Sequence, residues 1–290
     1  MSPSPGIPTP GIPSPGIPTR GIPTRGIKVF VEGVGIRGPG LIGWPAARPV
    51  LAGLTRYEPA PFVPPPVTLL PPAERRRAGI AIRLAIGAGI EALCHAERDP
   101  STMAMVFASS NGDSDTVHEI LCVLATDRRE VSPTRFHNSV HNAPAGYWAV
   151  ATGSREPSTS LCAYDDSFSA GLLDAASQAV VENRPVTLAA YDLSYPEPLN
   201  TVRPIVASFA TALVLTPHPA NRTIAALTIV SGRTGKPATA MPDSQLERLR
   251  LGNPAARSLP LLSVIARGGS ETIRVSADAG TGAEITIESW

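Results

Sequence analysis

Two hydrophobic periods alternate along the chain and set out its elements. Residues Ile27 to Ile36, "IKVFVEGVGI", carry β-branched and aromatic residues that run into glycines, which predicts the first strand. In "ERRRAGIAIRLAIGAGIEALCHAE", Ile82, Ile86, Ile90 and Leu93 recur at helical spacing, so a helix that packs on a sheet follows. "MAMVFASS", Met103 to Ser110, is short, continuously apolar and closed by "NGD", the pattern of a buried strand. "SDTVHEILCVLAT" then places Val117, Ile120, Leu121 and Leu124 on one helical face, with Ser114 or Asp115 as the N-cap. The alternation continues through strand "STSLCAY", a helix from Ser167 to Glu182 and strand "PVTLAAYDLS". It predicts a layered α/β unit with a mixed, mostly parallel sheet. From Ile205 the runs "IVASFATALVL" and "TIAALTIV" predict an antiparallel pair at the sheet edge. A short helix near Ala255 to Ala266 and a hairpin of "ETIRVSA" with "AEITIES" complete the tail.

The first 27 residues interrupt this picture with a repeated "PGIPT" unit, in which Arg20 and Arg25 take the place of proline. Proline removes backbone donors and glycine adds chain entropy, so residues 1–27 are expected to form a disordered tail. Residues 28–217 form the expected main unit and 218–290 a smaller C-terminal extension. A chain of 290 residues with 43% apolar content can bury a sizeable core. The net charge of +1, with basic residues scattered, excludes an electrostatic footprint for nucleic acid or an anionic membrane. The run Arg75, Arg76, Arg77 reads as a solvated helix start. The apolar runs are too short to span a bilayer and the N-terminus lacks a signal pattern, so a cytoplasmic protein is expected. Cys94, Cys122 and Cys162 are odd in number and widely spaced, which argues against a disulfide framework and a zinc site, and they read as small buried hydrophobes.

Candidate chemistry is sparse. "HNSVH" sets His137 and His141 four apart, as on one helix face, but Asn138 stands where a metallopeptidase needs a proton-accepting glutamate. No metal and no cofactor are expected. "SSNGDSD" lacks a regular spacing of oxygen ligands and reads as a turn. "ADAGTGAEI" has no lysine after its glycines and reads as the turn of the last hairpin. The informative stretch is "PSTSLCAYDDSFSAGLLDAA", a strand, tight turn and helix in which an enzyme would hold a nucleophile. Cys162 is expected inside the strand, facing the sheet, while Asp165 and Asp166 sit at the turn, where carboxylates also suit a helix N-terminus as plain caps.

Taken in order, "VFVEGVGI", "WPA", Arg75 to Arg77, "VFASSNGD", "VSPTRFHNSVHNAPAGYWAVATG" and "EPSTSLCAYDDSFSAGLLDAA" resemble the N-terminal half of β-ketoacyl synthases of the thiolase superfamily. The similarity runs from Lys28 to Leu215 and is most specific from Val131 to Ala176. It implies a thiolase-like half-fold of the kind seen in short chain-length-factor-like relatives of polyketide, aryl polyene and fatty-acid-type pathways. Laid on the family pattern, Pro157 and Ser158 meet the Pro-Ser that opens the strand, and Asp165 meets the nucleophilic cysteine. Ala279 of "AGTG" would stand for a catalytic histidine, so the resemblance implies no catalytic residue here. It implies pairing with a β-ketoacyl synthase, or with a second copy, through Phe136, His137, Asn138, His141, Asn142, Ser160, Leu161 and Cys162, and work with an acyl carrier protein. The apolar helices around Ile82 and Leu172 are expected to need cover from that second chain. The alternatives are an acyltransferase active through Cys162 or Asp165, and a scaffold that binds an acyl carrier protein.

Overall fold

The structure is a computed structural model that describes residues 26–127, 129–232, 236–275 and 282–290. The repeat at 1–25 and the "AGTG" turn up to residue 281 lie outside the described residues. In chain order the N-terminal part runs β1 (Ile27–Gly38), β2 (Leu41–Ile42), α1 (Trp44–Leu51), α2 (Pro72–Arg77), α3 (Ile80–His95) and β3 (Ala104–Ala108). The middle follows as α4 (Ser114–Leu124), α5 (Pro133–Asn138), α6 (Ala143–Thr152), β4 (Ser158–Leu161), α7 (Ser167–Val181), β5 (Val186–Asp192) and α8 (Leu199–Val202). The chain closes with β6 (Phe209–Thr216), β7 (Ala225–Gly232), α9 (Ser244–Leu251), α10 (Leu259–Arg267), β8 (Ser270–Val275) and β9 (Gly282–Ser289).

All the strands join one sheet in the order β4-β3-β5-β6-β1-β7-β9-β8, with β2 on β1. The sheet is mixed: parallel pairing is confined to β4-β3-β5, and every other pairing is antiparallel. The expected dominance of parallel pairs fails because crossover helices connect only the strands between residues 104 and 192. Nor do β6 and β7 form an edge pair; β1 lies between them and pairs antiparallel with both. Residues after 217 continue the same sheet through β7, β9 and β8. The hairpin of β8 and β9 forms as expected, whereas α9 had no recognised signal.

The glycines of β1 explain how the layers meet. Between Val31 and Gly33 the register with β6 shifts, leaving Glu32 as the extra residue of a bulge. The bulge moves the alternation by one position, so Val29, Val31, Val34 and Ile36 all face one core. Gly33 and Gly35 face α3 instead, where a Cβ would fall 2.1 Å from the carbonyl oxygens of Ala92 and Ala88. Small residues on both partners therefore let α3 lie directly on β1. Glu32, buried at the bulge, is paired with Arg98 at 2.5 Å.

Two cores result. One lies beneath α3 and α6, with Met105, Phe107, Tyr191 and Val214 from the sheet and Trp148 set edge-on to Phe107. The other lies beneath α1, α7, α9 and α10. Ile82 and Leu172 are 1% and 0% exposed in the single chain, so these helices do not depend on a second chain for cover. Leu172 is covered by the core that α9 and α10 complete, and Ile82 by the sheet and α6 on the opposite face. Several smaller expectations also change. The arginines 75–77 end α2 rather than start a helix, and Asp113, not Ser114 or Asp115, caps α4 by accepting from Thr116 N. The apolar face of α4 is turned outward, with Val117, Leu121 and Leu124 exposed. All three cysteines are exposed, not buried.

Candidate functional site

The carboxyl ends of the three parallel strands converge on one polar network, the usual place for a site in an α/β sheet. Ser109 and Ser110 follow β3, Cys162 follows β4, and Asp192 ends β5. Asp192 is 1% exposed, and one carboxylate oxygen, Oδ1, accepts from Ser110 N at 2.8 Å, Ser110 Oγ at 2.6 Å and Ser109 Oγ at 3.2 Å. Its Oδ2 has no hydrogen-bond partner among the described residues. Tyr195 Oη lies 3.4 Å from Ser110 Oγ and accepts a short hydrogen bond from Arg203 Nη1. Arg203 Nη2 donates to Asp165 Oδ1 at 2.7 Å, and its guanidinium stacks 3.8 Å above the Tyr164 ring. A continuous chain of contacts thus links the turn at Asp165 to the buried Asp192.

The turn itself is strained in a way that a tight strand-to-helix connection requires. Tyr164 adopts φ 52°, the left-handed region that residues with a Cβ rarely enter. Ser167 holds the turn by donating to Tyr164 O at 2.7 Å and accepting from Ala163 N at 3.0 Å. Asp166 stands at the N-cap of α7, but its side chain makes no capping hydrogen bond, and Asp165 is committed to Arg203. The expectation that both carboxylates act as simple caps is therefore corrected.

Cys162 is also corrected: β4 ends at Leu161, and the thiol lies outside the strand, exposed, with Sγ 3.1 Å from the Ser110 carbonyl oxygen that accepts from it. The strand is shorter than the apolar run because the chain must already bend to reach Tyr164. His137 and His141 do not share a helix face, since α5 ends at Asn138 and His141 lies in the turn before α6. His141 Nε2 donates to the Ser109 carbonyl at 3.0 Å, while His137 packs edge-on to Tyr147. Asn138 is buried, with its amide donating to Arg77 O at 2.7 Å and its Oδ1 accepting from Tyr147 at 3.1 Å, so it braces α5 against α2 and α6. Phe136 is exposed, Asn142 precedes α6, and Ser160 and Leu161 are half-buried on β4. Sequence reasoning missed Arg203, Tyr195 and Asp192. Only the aspartate ending an otherwise apolar strand, "PVTLAAYD", carried a signal.

Acyl transfer needs a nucleophile, a base or oxyanion donors at a reacting carbonyl. At this turn the carboxylate of Asp165 is neutralised by Arg203, and no histidine is hydrogen-bonded to Cys162 among the described residues. A Cys–His contact does occur on α4, where Cys122 Sγ lies 3.4 Å from His118 Nε2, but it sits on an exposed helix face away from any strand end. Among the described residues no group of three His, Cys, Asp or Glu side chains is arranged to hold a metal ion, and no helix is long and apolar enough to cross a membrane.

Burial raises the Asp192 carboxyl to about 6 from an ordinary 3.8, against the lowering effect of its serine hydrogen bonds and Arg203. The native state therefore binds more protons than the unfolded chain across that window, so this group's contribution to stability falls as pH rises from about 4 to about 6. Asp192→Asn removes the titration while keeping an acceptor for the serines. Its thermal stability is expected to gain on wild type as pH rises through the window, by at most about 3 kcal/mol. A constant difference across the window, read by calorimetry, would contradict the raised carboxyl.

Residues 53–271 match the family model described as beta-ketoacyl synthase, N-terminal domain. The fold is similar to that of a chain in the complex of the ketosynthase ApeO with its chain length factor ApeC from Xenorhabdus doucetiae, at 22% identity and TM-score 0.67, covering 90% of this chain and 99% of that one. It is also similar to the ishigamide ketosynthase/chain length factor, at 15% identity and TM-score 0.66, covering 91% and 99%. A third similar structure is AntDE:AntF, a type II acyl-carrier protein in complex with its ketosynthase bound to the hexaketide, at 12% identity and TM-score 0.69, covering 91% and 100%. No curated protein matches the sequence. With the family match spanning most of the chain and the thiolase-like fold shared with these structures, the chain belongs to the beta-ketoacyl synthase N-terminal domain family.

Proposed function

We propose that this chain is a non-catalytic, chain-length-factor-like partner of a β-ketoacyl synthase, working with an acyl carrier protein on thioester-bound chains. The observation that carries the reading is the Asp165–Arg203 ion pair at the turn where the family pattern places its cysteine. A carboxylate there is a poor acyl acceptor, because the mixed anhydride it would form hydrolyses, and its partnership with Arg203 removes it from attack. Partnership is supported by the sheet edge. β4 is the terminal strand, half-exposed; α6, which contacts it, carries exposed Val150, the turn that follows it carries exposed Tyr164, and Phe136 and Val140 are exposed in the segment leading to α6. An open edge strand flanked by apolar side chains is a template for pairing with another chain.

Co-expression with each ketosynthase of the same genome tests the proposal. One of them is expected to co-purify in a 1:1 complex, in which the exposed thiol of Cys162 becomes protected from maleimide while Cys94 stays reactive. Cys162 that reacts equally fast in the free chain and in a complex would contradict pairing through β4.

A further inference from the structure

Outside the network from Asp165 to Asp192, α4 carries two metal-ligating side chains in contact. His118 and Cys122 are one turn apart, and Cys122 Sγ lies 3.4 Å from His118 Nε2. Bond lengths of about 2.3 Å to sulfur and about 2.0 Å to nitrogen set adjacent corners of a zinc tetrahedron about 3.5 Å apart, so the two atoms already stand at the spacing of two ligands on one ion. Asp115 is near enough to His118 for the two charges to interact, so the surroundings of the pair favour a cation. A single chain stops at two ligands, because among the described residues no third His, Cys, Asp or Glu is placed to hold the same ion. The pair also borders an uncovered apolar stripe: Val117, Leu121 and Leu124 are exposed, and His118 and Cys122 follow the first two of them by one position each.

We infer that His118 and Cys122 form half of a tetrahedral zinc site, which a second copy of this chain completes across a two-fold axis. Two such halves supply the two thiolates and two imidazoles that zinc takes in closed structural sites. A two-fold contact brings the same patch of both copies together, so α4 meets α4 and the pair meets its own copy. The apolar stripe supplies the surface that the contact buries. Each thiol gives up its proton when the ion binds, so one Zn²⁺ enters, two protons leave, and the two thiolates balance the charge of the metal. None of these residues lies on β4, so the site does not depend on the pairing proposed above.

Light scattering of the free chain after size exclusion, first in EDTA and then with ZnCl2 in a non-chelating buffer, tests the site. Zinc is expected to double the mass, with one ion bound per two copies by elemental analysis. Cobalt in place of zinc is expected to give the strong visible absorption of a tetrahedral ion with thiolate charge transfer. His118→Ala and Cys122→Ser are each expected to weaken the metal-driven association by about tenfold or more, since even an indirect support of a zinc site is worth that much. Cys122 is exposed and His118 half-buried at the helix surface, so both variants are expected to fold, as circular dichroism would verify. Cys94→Ser, which removes a different exposed thiol, is expected to keep the response. A mass that zinc leaves unchanged, one ion bound per single chain, a response lost in Cys94→Ser, or a response that survives Cys122→Ser in folded protein would overturn the inference.

Discussion

Phe136→Asp is expected to abolish the proposed complex with a ketosynthase, weakening it by about a hundredfold or more, while leaving the free chain folded. The ring is 67% exposed, so the single chain loses almost nothing when it is replaced. In a buried interface the same change sets an unpaired carboxylate among apolar side chains, which costs several kcal/mol. Leu161→Asp on β4 is a less clean probe, because Leu161 also packs against the core beneath α7 and the substitution unfolds as well as unpairs. The two variants are therefore to be read together by size exclusion and circular dichroism. A complex that tolerates Phe136→Asp would place the partner on another face.

The second large effect is on the fold. Gly35→Val is expected to destabilise the chain by about 3 kcal/mol or more, because its first side-chain carbon would stand 2.1 Å from the Ala88 carbonyl and force α3 off the sheet. The side chains that α3 buries, among them Ile82, Leu84, Ile86 and Leu93, would then lose their seat. Gly146→Ala in α6 is the matched control: nothing lies within 4 Å of its added carbon, so a change within about 1 kcal/mol is expected. A urea midpoint for Gly35→Val close to that of Gly146→Ala would show that α3 does not lie on β1 as described.

The strands and helices around the strained turn were readable because their hydrophobic periods are local. β1, α3, β3, α7 and β5 each appear close to where their pattern put them. What was not readable depends on pairing across the chain. Nothing local in "IVASFATALVL" or "TIAALTIV" says that β1 comes between them, because strands buried on both faces show no alternation that would assign an edge. The outward face of α4 was misread for a related reason: an apolar stripe looks the same whether it meets the chain's own core or is left exposed. The site was half legible. Asp165 was picked out by the motif, but its partner Arg203 lies 38 residues further on, after a loop whose path the sequence does not specify. Cys162 was misplaced because an apolar run shows where a strand is allowed, not where strain at Tyr164 ends it.

The central claim is that this chain supports acyl chemistry without performing it. Intact-mass spectrometry of the reconstituted complex, loaded with an acylated carrier protein, tests it directly. The account predicts an acyl adduct on the ketosynthase and none on this chain, with the same result in a Cys162→Ala variant. An acyl adduct on this chain that disappears in Cys162→Ala, or in Asp165→Asn, would contradict it.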